Sequence, residues 1–170
     1  VFESGHQNDS AYVISEDRSG DAGGLTKWGI DAKDHPGVDI ENLTLEQATQ
    51  IYHDEEWTSC RCASLPAGID TAVFDCAVNM GGGMSIILLQ RTLQKLGYGI
   101  EADGQIGPIT IAATVKQAQI DSRGLISGLL AARRSHYQAI AASNPNDMQF
   151  LAGWLNRVND LATFLKGGAC

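Results

Sequence analysis

The stretch "GIDTAVFDCAVNMG", residues 68–81, decides the fold class. Ile69, Ala72, Val73, Cys76 and Ala77 recur at the spacing of one helix face, and the run closes on Gly81, Gly82 and Gly83. Apolar residues nearly encircle this helix, which predicts a central, buried position. Asp75 and Asn79 interrupt the pattern four residues apart, hence on one face. Polar residues there either line a cleft and hold sugar or hydrogen-bond a neighbouring loop, and both readings stand open.

Outward from this helix, the flanking sequence is also helical. In "LTLEQATQIYHDEEW", residues 43–57, Thr44 stands three residues before Gln47, the spacing of a capping box. "MSIILLQRTLQKLG", residues 84–97, forms a further helix ending at Gly97. The turn-rich "YGIEADGQIGP", residues 98–108, breaks the pattern. Helices follow at about 108–119, 122–143 and 147–166, the last two separated by Asn144-Pro145. Residues 4–42 differ: Gly5, Gly20, Gly23, Gly24, Gly29, Pro36 and Gly37 crowd a stretch without helical period. So long an irregular stretch in a compact domain is usually functional. "AYVIS", residues 11–15, alternates like a short strand. The chain is therefore expected to be mainly α, with a small irregular or β element near the N-terminus.

With 170 residues, 44% hydrophobic and 19% charged, the composition is that of a globular chain with one core. The longest apolar run, "MSIILLQ", meets Gln90 and Arg91 far short of a membrane span of about 20 residues. A formal net charge of −8 argues against nucleic acid, whose phosphates need clustered Lys and Arg. Val1 begins within polar sequence, so residues upstream, from cleavage or a larger parent protein, are expected.

Four cysteines, Cys60, Cys62, Cys76 and Cys170, permit two disulfides. Cys60 and Cys62 are too close for an easy mutual bridge, so one is expected to pair with Cys76 and the other with Cys170. Four free buried thiols are the alternative, and a metal site from His53 and Cys60, Cys62 and Cys76 is disfavoured, because Cys-x-Cys is not a usual structural zinc spacing. No metal and no cofactor are expected.

Glycosidic cleavage is one reading of the residues; the other leaves Glu3 a solvated surface residue and Asp21 the Asx residue of a turn. If Phe2 packs inward, Glu3 sits at a helix end beside the core, where a partly desolvated carboxyl holds its proton near neutral pH and serves as general acid. In "DAGGLT", residues 21–26, Asp21 can supply a second carboxylate, Gly23-Gly24 a close backbone approach, and Thr26 a hydroxyl for a water. Trp28 in the same glycine-rich stretch is the best platform for a sugar face. Ser4 beside Glu3 lacks the strand–turn–helix elbow of an acyl-transfer site.

Seven blocks occur in order: "FESG" at 2–5, "GDAGGLTKWGI" at 20–30, Leu65-Pro66, "FDCAVNMG" at 74–81, "LLQRTLQ" at 88–94, "DGQIGPIT" at 103–110 and "GWLNRV" at 153–158. Together they resemble glycoside hydrolase family 108, the phage-endolysin-type N-acetylmuramidases. They also look like the chitosanase-like lytic domains fused to type VI secretion spike proteins. The resemblance implies a lysozyme-like α-rich fold, with residues 1–83 as the catalytic region. Residues 84–170 would be a helical peptidoglycan-binding-type region packed in the same compact unit. It implies Glu3 as the catalytic acid, with Ser4 in place of a family glycine, and Asp21 and Thr26 completing the site. The spacer between Glu3 and Gly23-Gly24 is longer than the family pattern, so Asp9, Glu16 and Asp17 compete with Asp21 as the second carboxylate.

The expected activity is an N-acetylmuramidase that cleaves peptidoglycan between N-acetylmuramic acid and N-acetylglucosamine, with Trp28, Asp75 and Asn79 holding sugar or shaping the cleft. A chitosanase and a non-catalytic glycan-binding module are the rival readings. The net charge favours the first rival, and "DGQIGPIT" would carry the second. The expected partners are peptidoglycan strands and, for an antibacterial effector, an inhibitory immunity protein. The expected state is a monomer without membrane insertion. It would act in the bacterial periplasm or cell wall, delivered as a domain of a larger protein or as an endolysin.

Overall fold

A computed structural model of the chain describes residues 25–167. The chain divides after His53 into two compact units. The strand expected at residues 11–15 lies outside the described residues.

The first unit holds a short hairpin, β1 (Thr26–Lys27) and β2 (Ile30–Asp31), paired antiparallel with Thr26 opposite Asp31 and Lys27 opposite Ile30. Its two loop residues, Trp28 and Gly29, both take positive φ, 56° and 80°. That is the type I′ geometry whose twist matches the strands. Helix α1 (Leu45–Tyr52) starts at Thr44, whose hydroxyl accepts the Gln47 amide at 3.2 Å, while the Gln47 side chain accepts the Thr44 amide at 2.9 Å. The capping box expected from the sequence is present, and it satisfies two amide groups that helix geometry leaves open. Ile30, Ile40, Leu43 and Ala48 form a small buried cluster, with Trp28 and Tyr52 packed against it.

The second unit is helical: α2 (Ile69–Met80), α3 (Gly82–Lys95), α4 (Pro108–Ser143) and α5 (Met148–Gly167). Helix α2 buries Ile69, Ala72, Val73, Cys76 and Ala77, the residues whose spacing predicts it. Each large apolar side chain buried this way contributes about 1.5–3 kcal/mol. Helix α3 lies against α2 with Ile86, Leu88, Leu89 and Leu93 in the same core. The Ser85 hydroxyl donates to the Val73 carbonyl at 2.7 Å across the pair. Helix α4 breaks at Asp121 (φ −156°, ψ 85°), where its side chain accepts the Gly124 amide at 2.8 Å and caps the second segment. The sequence expectation of two helices meeting near residue 120 is met inside one kinked element. Leu130 and Tyr137 of α4 pack on Val158 and Leu161 of α5 as a further cluster.

The cysteines correct the sequence expectation. Cys60, Cys62 and Cys76 are free and buried, so Cys76 is bridged to neither of the other two. All three belong to the main core, among Leu65, Ile69 and Val73, where a thiol serves as a small apolar side chain. Burial pushes all three thiols up in pKa, Cys62 to about 12, so they stay protonated. The expected bridge to Cys170 lies outside the described residues.

Candidate functional site

Glu3 and Asp21, and the competing Asp9, Glu16 and Asp17, lie outside the described residues. Thr26 and Trp28 fall in the first unit, Asp75 and Asn79 in the second.

In the hairpin, Thr26 and Asp31 are directly opposite, so their side chains share one face, while Lys27 and Ile30 share the other. Ile30 is buried, and the Lys27 ammonium donates to the Glu41 carbonyl at 2.9 Å. The Thr26 face therefore pairs a hydroxyl with a carboxylate that the sequence reading did not weigh. Asp31 Oδ1 accepts the amides of Lys33 and Asp34, both at 2.9 Å, which fixes the carboxylate's orientation. The signal was present in the sequence: Trp28-Gly29 as a two-residue turn sets the register that brings Asp31 across from Thr26.

Trp28 holds a left-handed backbone conformation that costs a bulky residue energy and needs outside support. The Tyr52 hydroxyl gives that support by donating to the Trp28 carbonyl at 3.0 Å, tying the turn to α1. The indole N–H is buried without an acceptor among the described residues, an open donor of the kind folded proteins rarely leave.

Asp75 and Asn79 are placed by a matched ladder of residues four apart on α2 and α4. The Asp75 carboxylate, only 4% exposed, accepts from the guanidinium of Arg133 and, on its other side, from Arg157 Nη2 at 2.9 Å. Arg133 Nε in turn donates to the Tyr137 hydroxyl at 3.0 Å, and that hydroxyl donates to the Asn79 side-chain oxygen. Tyr137 stacks on Trp154 of α5 with ring centroids 5.1 Å apart. Arg157, 17% exposed, reaches the carboxylate from the solvent side. Burial raises the Tyr137 pKa, keeping its hydroxyl a donor. Asp75 and Asn79 thus bind helix to helix.

The "DGQIGPIT" turn is likewise held from within. Gln90, 1% exposed on α3, donates its amide to Asp103 Oδ1 at 2.8 Å and to the Gln105 carbonyl at 3.1 Å. Its oxygen accepts the Gly104 amide at 2.9 Å. Gly104 has φ +77°, and a Cβ there would stand 3.1 Å from the Gly83 carbonyl, so only glycine fits. Gln90, Asp103 and Gly104 are engaged with one another in a structural lock. Among the described residues, no three His, Cys, Asp or Glu side chains are grouped to hold a metal ion, and no helix is long and apolar enough to cross a membrane.

Residues 14–81 match the family described as "Glycosyl hydrolase 108", and residues 84–159 match the "Predicted Peptidoglycan domain". No curated protein matches the chain. Among solved structures, Brucella abortus SagA is similar, with 27% identity and a TM-score of 0.72 over 93% of this chain and 88% of that one. The first match ends one residue past α2, although α2 packs in one core with α3 and α4 of the second match.

Proposed function

Because residues 14–81 match the glycosyl hydrolase 108 family and residues 84–159 a peptidoglycan domain, we propose that this lysozyme-like glycoside hydrolase is an N-acetylmuramidase. It would cleave the β-1,4 bond between N-acetylmuramic acid and N-acetylglucosamine. The observation that carries this reading is the glycosidase match running directly into a peptidoglycan-domain match on one chain.

Glu3 protonates the glycosidic oxygen as the bond breaks, and the charge on the oxocarbenium-like carbon is met from the opposite side. Asp21 supplies that second carboxylate, and the Thr26 hydroxyl positions the attacking water. Asp31, fixed on Thr26's face by two backbone amides, stands with Asp9, Glu16 and Asp17 as a rival to Asp21. Trp28 offers the exposed part of its ring to a sugar face. Asp75 and Asn79, engaged with Arg133, Arg157 and Tyr137, serve the substrate by fixing α2.

Digestion of purified sacculi followed by mass spectrometry of the products tests the reading. New reducing ends on muramic acid are expected for the wild type and none for Glu3→Gln. Anhydro ends would mean a lytic transglycosylase, and reducing ends on glucosamine would mean cleavage of the other bond. The Asp21→Asn and Asp31→Asn variants then identify the second carboxylate by which of them loses activity.

A chitosanase is a second reading, favoured by the fifteen Asp and Glu against four Lys and Arg in residues 1–83, a charge suited to polyglucosamine. Activity on chitosan with none on sacculi would establish it. The biological use that fits best is lysis of a bacterial wall, as an effector reaching the periplasm and restrained by an immunity protein, or as an endolysin. Periplasmic expression in a bacterium should then lyse the cells, and cytoplasmic expression should not.

A further inference from the structure

The overall charge of −8 is unevenly divided. Residues 84–170 carry eight Lys and Arg against five Asp and Glu, although the chain as a whole is acidic. Part of that positive charge gathers at a groove of about 630 Å³ between α3 and α4, within the peptidoglycan-domain match. The volume lies in the range of small-ligand clefts, about 300–1,000 Å³. Arg91 and Lys95 line one wall from α3, His136 and Ser135 the other from α4, and the buried Leu88 contributes to the floor. Among the described residues, no carboxylate lines the groove.

Arg91 and Lys95 are four residues apart on one helix face, a like-charge pairing that destabilises a helix by a few tenths of a kcal/mol. Neither has an ion-pair partner among the described residues. Burial and then the charge of Arg91 lower the His136 pKa, which places the guanidinium within electrostatic reach of the ring across the groove. Arg91 and Lys95 thus face the His136 ring across a space that, among the described residues, no acid lines. Ala132 and Ala139 keep the α4 wall low enough for a ligand to lie between the helices.

We propose that this groove binds the carboxylates of peptidoglycan stem peptides, holding the wall by its anionic peptides while the hydrolase acts on the glycan. The inference rests on the peptidoglycan reading above and adds the part of the substrate that is recognised and where. Arg91 takes a carboxylate through its forked N–H groups, Lys95 adds a second charge, and Gln94 and Ser135 hydrogen-bond the peptide amides.

The test uses the full chain with Glu3→Gln, to prevent turnover, in a sedimentation assay against two wall preparations. One is intact sacculi, the other glycan strands stripped of their peptides by an amidase. Arg91→Ala with Lys95→Ala should weaken binding to intact sacculi roughly tenfold to a hundredfold, the loss of one or two charge-assisted contacts. Binding to stripped strands should be the same for both proteins, and added salt should narrow the difference on intact sacculi. Equal binding of parent and variant to intact sacculi would overturn the proposal, as would an equal loss on both preparations. Both positions are exposed, and an unchanged melting temperature shows the variant folded. Calorimetric titration of a soluble stem tetrapeptide gives a readout independent of glycan cleavage. A chain that binds the peptide but cleaves no sacculi would refute the hydrolase reading and leave the groove standing.

Discussion

Asp75 on α2 and Arg157 on α5, 82 residues apart in the chain, meet through both carboxylate oxygens: Arg157 Nη2 and Nε donate to Asp75 Oδ2 at 2.9 and 3.1 Å, and Nε also to Oδ1 at 3.2 Å. Together with Arg133, this pair joins the blocks "FDCAVNMG" and "GWLNRV" in space. Each supplies part of one buried network around Arg133 and Tyr137 of α4: Asp75 and Asn79 from one, Trp154 and Arg157 from the other.

Removing the hub should cost far more than removing its outer partner. Asp75→Ala leaves Arg133 charged and buried without its carboxylate, a loss of about 3–5 kcal/mol. Arg157→Ala leaves the Arg133 pair in place and exposes little new charge, a loss of about 1–2 kcal/mol. Urea denaturation of the two variants checks the order, with the transition slope confirming that the native state is otherwise unchanged.

The turn at residues 103–105 depends on one buried amide. Gln90→Ala strips partners from Asp103, Gly104 and Gln105 together and should cost about 2–3 kcal/mol. The Asp103 carboxyl is held below its usual 3.8, first by the Gln105 amide and then by the Gln90 side chain. A lowered folded pKa contributes stability that is present above 3.8 and lost as the pH falls through the folded value. Melting temperatures from about pH 5 to pH 2 should therefore fall less steeply for Asp103→Asn than for the wild type.

Trp28 and its turn can be separated by one substitution. Asn-Gly is a favoured pair for a type I′ turn, so Trp28→Asn keeps the left-handed backbone and relieves the strain of a bulky residue there. Loss of the ring's packing on the small cluster offsets part of that gain. The melting temperature should move by only a few degrees, corresponding to about 1 kcal/mol. Sugar stacking is lost in the same variant, so the KM for sacculi should rise roughly tenfold, about 1.4 kcal/mol of binding. Steady-state turnover of sacculi checks the split between binding and stability.

The three core thiols should be inert in the folded chain. Burial keeps Cys60, Cys62 and Cys76 protonated, so a thiol-specific alkylating agent at mildly alkaline pH should label them only after denaturant is added. Peptide mass spectrometry distinguishes them from Cys170. The sign for stability is opposite to that of Asp103. The unfolded Cys62 thiol ionises near its ordinary 9.0 and the folded one near 12, so stability should decline as the pH rises through that window.

What the sequence determined by itself was local. The period of residues 69–77 placed the buried helix, Thr44 and Gln47 placed the start of α1, and the break near residue 120 appeared where Asp121 caps the second segment of α4. Each rests on groups a few residues apart, whose geometry the backbone fixes before any tertiary contact forms. The ordered blocks also carried the hydrolase reading, because a motif keeps its spacing in one dimension. Tertiary structure alone decided what the polar residues of those blocks do. Asp75 needed Arg133 and Arg157, 58 and 82 residues away, to become a helix-locking hub. Asp31 needed the hairpin register to stand across from Thr26. The cysteines needed the packed core to show that they are buried thiols. A polar side chain in an apolar run signals that a partner exists, and which partner satisfies it is settled only when distant segments pack and exclude water.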